Sequence, residues 1–477
     1  MHIQLDGSGT LNAQLTRALK SAIFNGRVHA GSRLPPTRSL ARDLGLSRNT
    51  VLAAYDQLRA EGFVDGRVGS GSYVTPPVQV PRPANPRVAP LPPQSAYARR
   101  ARLFHDHARL VAPRGLRYSF QYGVPLTNPV LTSVWARELA RAASYTQPGY
   151  PATQGLLALR EAVCDYLARR RGVQALPEDV LIVAGTQQAI ALSARVLLDE
   201  GDVVAIEEPQ YFATRRVLQL HGATLHPVAV DGDGLDDARL PATPPKLVCV
   251  TPSHQFPGGA VMSLSRRMAL LDYAERMRCW IFEDDYDGEF RYDGKPLAAL
   301  RSLDGGDRVV YVGSFSKVLF PALRMGYLIM PAGLRNDFIA AKWADDFGSP
   351  AIEQAALASF IDNGGFERHL RRSMRTVAER RAVLMQGLHD CSGGRLEIAD
   401  SRAGMHITVW LRGKSAADGE AFIAHARSHG LGLHPIAPAY LSAPNRAGLL
   451  MGFAAMSTGE IRQGMEVFAR CLDAAYA

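Results

Sequence analysis

Lysine is rare in this chain, and one lysine stands where a covalent step could use it. Of the 54 lysines and arginines among the 477 residues, six are lysines: Lys20, Lys246, Lys295, Lys317, Lys342 and Lys414. Lys317 follows the apolar run 309–312 after a short polar segment. A buried amine is costly to keep charged and loses its proton readily, so it can form a Schiff base with a carbonyl compound. We therefore predict that Lys317 is a nucleophile.

Three other polar segments also follow apolar runs. The turn Gly185-Thr186-Gln187 offers N–H groups and a hydroxyl for a phosphate, Tyr211 offers an aromatic ring, and Asp284 lies in a cluster of carboxylates. Each signal is weak alone, because a glycine can form an ordinary turn and a tyrosine can simply pack. The carboxylates could also bind a metal, but no histidine accompanies them at ligand spacing, and no metal site is predicted.

Together these segments supply the components of a pyridoxal phosphate (PLP) site: a phosphate turn, a stacking ring, a carboxylate and a lysine. The carboxylate keeps the pyridine nitrogen protonated, so that the ring can withdraw electrons. The sequence therefore predicts PLP as the cofactor.

The apolar runs before these segments indicate the elements that position them. They are short and continuous, and they cover residues 181–184, 203–206, 247–250, 279–282 and 309–312. Strands buried on both faces have this pattern, and the intervening stretches are long enough for crossover helices. We predict a doubly wound α/β domain with its ligand at the carboxyl ends of the strands.

The order and spacing of these motifs resemble fold-type I aminotransferases over nearly all of residues 116–477. The resemblance implies a mostly parallel sheet with a smaller C-terminal subdomain, and an internal aldimine at Lys317. It also implies contacts of Asp284 with the pyridine nitrogen, of Tyr286 with the phenolic oxygen and of Tyr211 with the ring face. The phosphate would be held by the following residues: Ser314, Arg324, Gly185, Thr186, Gln187 and, from the other subunit, Tyr150.

The positive charge of the chain is concentrated near its N-terminus. The net charge is +4 in residues 1–77, +6 in 78–115 and −1 in the remainder. A basic module beside a near-neutral bulk favours nucleic-acid binding, because phosphate contacts need cations in one place. A solubilising basic tail would give the same charge pattern.

Residues 1–77 carry the pattern of a winged helix-turn-helix. Thr37 and Ser47 are predicted to cap two short helices, with Gly45 in the turn between them, and residues 63–74 read as strand, glycine-rich turn and strand. The run LPPTRSLARDLGLSRNTVLAAYDQLRAEGFV resembles the GntR family. The resemblance implies DNA contacts from Arg38, Ser47, Arg48, Thr50, Arg67 and Gly69. A helical hairpin used for dimerisation is the alternative.

A proline-rich stretch separates the two regions. Eight prolines fall within residues 76–93, which excludes a helix or a central strand there. We predict a DNA-binding domain at 1–77, a linker at 78–115 and a PLP-binding and dimerisation domain at 116–477.

This combination of domains, with the run TPSHQFP at 251–257, resembles the MocR/GabR family of regulators. It implies a homodimer arranged head to tail that binds promoter DNA at paired half-sites and senses PLP or an amine through an aldimine at Lys317. Near residues 449–453 many aminotransferases have an arginine for the substrate carboxylate, whereas this chain has Leu449, Leu450 and Met451 and its nearest polar candidate is His434. An active aminotransferase with an accessory DNA-binding domain, and a repressor with a vestigial PLP fold, remain alternatives.

Composition narrows the class further. The chain is 47% hydrophobic and 21% charged, which excludes a long disordered or collagen-like protein. Its five cysteines are scattered without metal-ligand spacing, as in reduced thiols. We found no long apolar run and no signal-peptide pattern, and we expect a cytoplasmic protein.

Overall fold

The computed structural model describes residues 3–67, 71–75, 93–104, 115–126, 129–292, 297–305, 308–399 and 401–477. The chain divides into two compact units, 1–93 and 94–477. Gly69, the side chain of Arg67 and much of the predicted linker lie outside the described residues. Among the described helices, none combines the length and the apolar character that crossing a membrane would require.

The smaller unit contains three helices followed by a two-stranded wing. Its elements are α1 (Leu11–Phe24), α2 (Thr37–Leu44), α3 (Arg48–Ala60), β1 (Val64–Arg67) and β2 (Gly71–Val74). The two strands are antiparallel, with Arg67 opposite Gly71. Side chains from all three helices form its core, among them Leu15, Leu19, Leu40, Val51 and Leu58.

The turn between α2 and α3 follows from three residues. Gly45 ends α2 in the left-handed conformation, with φ 65° and ψ 28°, which glycine adopts without a Cβ clash. Ser47 caps α3, and its hydroxyl accepts from the Thr50 N–H at 3.1 Å, as predicted. The predicted cap at Thr37 is wrong: Thr37 is the first helical residue, and Pro36, which has no side-chain oxygen, stands in the capping position.

The larger unit contains helices on both sides of a large sheet. These helices are α4 (Ala96–Arg102), α5 (Pro129–Tyr145), α6 (Leu157–Arg171), α7 (Thr186–Leu197), α8 (Phe212–Leu220), α9 (Leu264–Met277), α10 (Arg335–Asp346), α11 (Ala351–Asp362), α12 (Gly365–Ser392), α13 (Ala416–Ser428) and α14 (Thr458–Tyr476). Its strands are β3 (Tyr118–Ser119), β4 (Val180–Val183), β5 (Val203–Glu208), β6 (Thr224–Asp231), β7 (Gly234–Leu235), β8 (Leu247–Val250), β9 (Trp280–Asp285), β10 (Val309–Ser314), β11 (Gly326–Ile329), β12 (Leu396–Ile398), β13 (His406–Leu411), β14 (Leu431–Gly432), β15 (His434–Pro435) and β16 (Gly448–Gly452).

The large sheet has eight strands in the order β4-β11-β10-β9-β8-β5-β6-β7. Strands β10, β9, β8, β5 and β6 pair in parallel, whereas β11 is antiparallel to β4 and β10. The five apolar runs therefore form five strands that point the same way, and their carboxyl ends meet at one edge. The sequence pattern did not predict β11, which lies between two of them.

A smaller antiparallel sheet follows, with its strands in the order β12-β13-β16-β15. Helices α13 and α14 pack together beside it, and the rings of Phe422 and Phe468 meet edge to face at 5.6 Å. This is the smaller C-terminal subdomain that the sequence predicted.

Part of the predicted linker is helical. Helix α4 belongs to the larger unit, where it packs against α8. Arg100 of α4 donates to the Leu220 carbonyl at 2.9 Å and pairs with Glu200 at 2.7 Å.

Candidate functional site

A cavity of about 800 Å³ opens where the carboxyl ends of the parallel strands meet. Eight of the ten predicted cofactor residues line it: Thr186, Gln187, Tyr211, Asp284, Tyr286, Ser314, Lys317 and Arg324. Gly185 adjoins this group as the N-terminal cap of α7. The strand order explains the convergence, because residues distant in the chain follow neighbouring strands.

Lys317 lies between β10 and β11 with its amine inside the cavity. Its Nζ donates to the Gly123 carbonyl at 2.6 Å. Burial lowers the pKa of Lys317, and the nearby Asp287 and Asp284 act in the opposite direction. By contrast, the buried amine of Lys342 is held by Asp346 in an ion pair. Among the lysines that the structure describes, Lys317 is thus the one whose surroundings favour a reactive amine.

Asp284 presents an unsatisfied acceptor at the end of β9. Its Oδ1 is buried and has no hydrogen-bond partner among the described residues. Burial, with the charges of Asp285 and Asp287, raises the pKa of Asp284 to about 8, although Lys317 opposes this. A buried oxygen without a donor is unfavourable, so this position suits a ligand that brings an N–H group.

Tyr286 belongs to a buried network. Its hydroxyl lies 2.9 Å from Nδ1 of His254, and the Asp287 carboxylate lies 3.0 Å from the same nitrogen. The other ring nitrogen of His254 lies 2.9 Å from the Ser401 hydroxyl. Since Nδ1 carries at most one proton, it can donate to Asp287 or accept from Tyr286, but not both at once. The network therefore holds the phenol of Tyr286 in place, and Nδ1 of His254 can bond to either Asp287 or Tyr286.

Hydroxyls and a guanidinium surround the N-terminus of α7. Gly185 caps the helix with φ 88°, and Thr186 is its first residue. The Ser314 hydroxyl accepts from the Ser316 N–H at 3.1 Å. Arg324 has a left-handed backbone, φ 48°, and its guanidinium donates to the Ala184 carbonyl at 2.6 Å. Free N–H groups at a helix start, with these donors, make an anion site.

The far end of the cavity is aromatic and basic. The rings of Tyr122 and His434 meet edge to face at 5.6 Å, and Nε2 of His434 is buried without a partner among the described residues. Burial, and then the charge of Arg427, lowers the pKa of His434. Arg427 lines the cavity, and its side chain makes no hydrogen bond or ion pair with any residue that the structure describes. His434 pairs in register with Leu450, in the segment where the sequence lacks the expected arginine.

The sequence analysis did not predict two groups of functional residues. His254 had been noticed only as part of an unusual run, and its partners Asp287 and Ser401 are far apart in the chain. Arg427 gave no signal, because the chain is rich in arginine and this residue lies on an ordinary amphipathic helix.

Tyr150 lies outside the lining of this cavity. It is 88% exposed, and its ring rests on Phe347 at 5.1 Å between centroids. The predicted role of Tyr150 in a second subunit stays a prediction.

The candidate DNA-binding surface is in the smaller unit. Arg38 and Arg48 are exposed at the starts of α2 and α3, beside the capped Ser47–Thr50 turn, where the two hydroxyls lie 2.8 Å apart. Basic side chains at the N-terminus of a second helix are arranged as in helix-turn-helix proteins.

Comparison with known proteins assigns both regions. The family model "Aminotransferase class I and II" matches residues 121–468, and the model "Bacterial regulatory proteins, gntR family" matches residues 11–74. The "Probable rhizopine catabolism regulatory protein MocR" of Rhizobium meliloti is 36% identical, over 96% of this chain and 93% of its own. The chain belongs to the MocR family.

Two further comparisons support this MocR-family assignment and its fold. The HTH-type transcriptional regulator TauR of Rhodobacter capsulatus is 34% identical, over 98% of this chain and 97% of its own. The α-aminoadipate aminotransferase LysN of Thermus thermophilus, solved with N-(5'-phosphopyridoxyl)-L-leucine, has a TM-score of 0.69 and 26% identity, over 78% of this chain and 97% of its own.

The aminotransferase fold of this MocR-family chain implies PLP binding, and the cavity has the donors and acceptors that PLP needs. The buried Asp284 Oδ1 lacks a donor, which a protonated pyridine nitrogen would supply. The hydroxyls and guanidinium around α7 suit a phosphate, and the amine of Lys317 suits an aldehyde. The residues present therefore fit the cofactor.

Replacing Asp284 with Asn should stabilise the cofactor-free protein at alkaline pH. The pKa of Asp284, about 8 in the folded chain, is above its ordinary 3.8. The folded state thus holds a proton that the unfolded state has lost, and stability falls as pH rises from about 4 to about 8. At pH 8 we expect the free energy of unfolding of Asp284→Asn to exceed that of the wild type by about 1 kcal/mol or more. Urea denaturation measures this difference.

This advantage should shrink as the pH falls toward 3, below the ordinary pKa of 3.8, because the wild-type carboxyl is then mostly protonated in both states. The same variant should bind PLP more weakly, because it lacks the carboxylate that pairs with a protonated ring nitrogen. An Asp284→Asn protein that is less stable than the wild type at pH 8 would contradict the raised pKa of Asp284.

Proposed function

We propose that this protein is a PLP-dependent transcriptional regulator that acts in the cytoplasm as a head-to-tail homodimer. The observation that carries the proposal is that Lys317 and the unpaired Asp284 carboxylate share one cavity, in a chain with a capped helix-turn-helix. In this reading the larger unit senses PLP or an amine, and the smaller unit binds promoter DNA.

The residues that would hold PLP follow from their chemistry. Asp284 would accept from the pyridine nitrogen, Tyr286 would face the phenolic oxygen and Tyr211 would lie against the ring. The phosphate would be bound by the anion site at α7: Gly185, Thr186, Gln187, Ser314 and Arg324. When bound, PLP supplies an aldehyde that condenses reversibly with primary amines.

Three groups of this chain would act around that aldehyde. The amine of Lys317, whose pKa is lowered by burial, is the group that would react with it. The buried His254–Asp287 pair holds the Tyr286 hydroxyl, whose pKa is raised well above its ordinary value by burial and by the charge of Asp287. Tyr150 of a second copy would complete the phosphate site.

DNA would be bound by the residues around the start of α3. The Ser47–Thr50 turn and its free N–H groups suit a phosphate, and Arg48 is long enough to reach a base edge. Arg38, on the preceding helix, adds a second cation. Arg67 and Gly69 of the wing would contact the adjacent backbone or groove. A homodimer would then read paired half-sites separated by whole helical turns.

The far end of the cavity suggests the class of effector. Within the described part of the chain, the guanidinium of Arg427 has no ion-pair partner there, and Nε2 of His434 has no hydrogen-bond partner. We expect a primary amine that carries an acidic group, with the amine at Lys317 and the acid held by Arg427 and His434. The aromatic wall of Tyr122, Tyr211 and Phe256 would contact the carbon skeleton between them.

Replacing Arg427 with Met should remove the preference for acidic amines. A panel of primary amines, with and without an acidic group, can be titrated into the PLP-loaded protein while its visible absorption is recorded. Loss of one charge-assisted contact, about 1.5–3 kcal/mol, predicts ~10–150-fold weaker binding of the acidic amines alone. Arg412→Met, which removes an exposed arginine outside the cavity lining, is the matched control. Equal losses for acidic and neutral amines would contradict the role of Arg427.

The proposal as a whole is tested by recovering fragmented host DNA on the full-length, PLP-loaded protein and sequencing what is retained. A regulator should enrich one or a few sharp sites beside genes. Uniform background recovery, together with steady-state transfer of amino groups from a donor to a keto acid, would instead establish an aminotransferase.

A further inference from the structure

A second cluster of ligand-type side chains lies apart from the cavity residues, between α13 and α14. His425 and His429 are exposed and four residues apart, so they share one helical face. Cys471 of α14 is only 2% exposed. One ligand atom from each of the three residues lies within 4.8 Å of the others.

His429 is oriented as a metal ligand often is. Nδ1 of His429 lies 3.0 Å from the His425 carbonyl and 3.2 Å from the Ser428 hydroxyl. A hydrogen bond from Nδ1–H to a backbone carbonyl fixes the tautomer that leaves Nε2 unprotonated and free to bind a metal. Among the described residues, the ring of His425 and the thiol of Cys471 have no hydrogen-bond partner.

We propose that His425, His429 and Cys471 bind a zinc ion that joins α13 to α14. Two imidazoles and one sulfur are the ligands that zinc prefers, and the absence of a carboxylate from the cluster disfavours calcium and magnesium. The ion takes a thiolate, so the Cys471 proton leaves to solvent as the S–Zn bond forms. Water fills the fourth position on the exposed side of the histidines.

The distances are compatible with this assignment. A tetrahedral ion with bonds of about 2.0–2.3 Å needs ligand atoms that are about 1 Å closer to one another than 4.8 Å. Two exposed imidazoles can make this shift by rotating about their side-chain bonds. The buried sulfur is the fixed ligand, and the histidines close over it from the surface.

The zinc ion would stabilise the segment 425–434, which carries residues that line the cavity. Arg427 lies between the two histidines in the chain, and the strands after α13 carry His434. This inference is independent of PLP binding, because it uses no residue of the cofactor site.

The test is a zinc titration of the metal-free full-length protein in competition with a chromophoric chelator. We expect one tight ion per chain, bound at least about 10-fold more weakly after His425→Ala, His429→Ala or Cys471→Ser. The controls are His389→Ala, an exposed histidine of α12, and Cys391→Ser, whose thiol already donates to the Leu388 carbonyl; both should leave the affinity unchanged.

Cobalt(II) supplies a second readout, because a cobalt–thiolate bond absorbs strongly in the near ultraviolet. That band should appear in the wild type and disappear in Cys471→Ser. The histidine variants keep the test decisive if Cys471→Ser folds poorly, since both rings are exposed. Zinc affinity equal to wild type in His425→Ala and His429→Ala, or a cobalt spectrum without the thiolate band, would overturn the site.

Discussion

Lys317→Ala is expected to abolish covalent capture of PLP. The wild-type protein, treated with borohydride, should retain about one pyridoxyl group per chain on Lys317. The variant should retain none and should lose the visible absorption of the bound cofactor. The reason is local: the amine of Lys317 lies in the cavity with a pKa lowered by burial, whereas the buried amine of Lys342 is held in an ion pair with Asp346.

The matched control is Lys246→Ala, which removes an exposed lysine at the start of β8. It should behave like the wild type. Lys317→Ala should also keep its circular dichroism and its basal affinity for DNA, because the side chain makes one hydrogen bond to a described residue, the carbonyl of Gly123. A pyridoxyl adduct that persists on another residue, or a variant that fails to fold, would contradict the role assigned to this amine.

Arg48→Ala is expected to weaken operator binding by ~5–150-fold, which corresponds to about 1–3 kcal/mol for one bidentate contact with a base. The side chain is exposed at the start of α3 and contributes nothing to the core of the smaller unit. The visible absorption of bound PLP should not change. Fluorescence anisotropy with an operator fragment measures the affinity directly.

Arg48→Lys distinguishes the two kinds of DNA contact. A lysine keeps a phosphate contact but cannot form the planar bidentate pair, so a loss close to that of Arg48→Ala indicates base reading. If Arg48 contacts phosphate alone, Arg48→Ala should weaken operator and random DNA equally and should reduce the salt dependence. Unchanged affinity for both DNAs would mean that α3 is not the recognition helix.

The sequence predicted the elements whose signals are local. Continuous apolar runs predicted β4, β5, β8, β9 and β10, because parallel strands buried on both faces need apolar side chains throughout. Strand β11 was missed, since residues 326–329 follow a motif read for its arginine, and their antiparallel pairing with β4 and β10 is a tertiary contact. Ser47 was predicted correctly as a cap, whereas Thr37 was not, because Pro36 already holds that position.

The site residues also divide into those with a local sequence signal and those that depend on tertiary contacts. Residues at or just after the end of a strand could be found from their positions, as Asp284 in the last part of β9 and Lys317 shortly after β10 were. The partners of Tyr286 could not, since Ser401 reaches His254 across 147 residues of chain. His434 was noticed as a polar residue near a missing arginine, but its neighbour Arg427 depends on how α13 packs, which composition does not encode.

Occupancy of the PLP site is expected to change the affinity of this protein for DNA. The most direct measurement is the affinity of the wild type and Lys317→Ala for an operator fragment, each without PLP, with PLP and with PLP plus the panel of primary amines. We predict that the wild-type affinity differs between at least two of these states by ~5–150-fold, a coupling of about 1–3 kcal/mol, and that the variant does not respond. A wild-type affinity that is the same in all three states would contradict the account, because a ligand that binds both conformations equally shifts nothing.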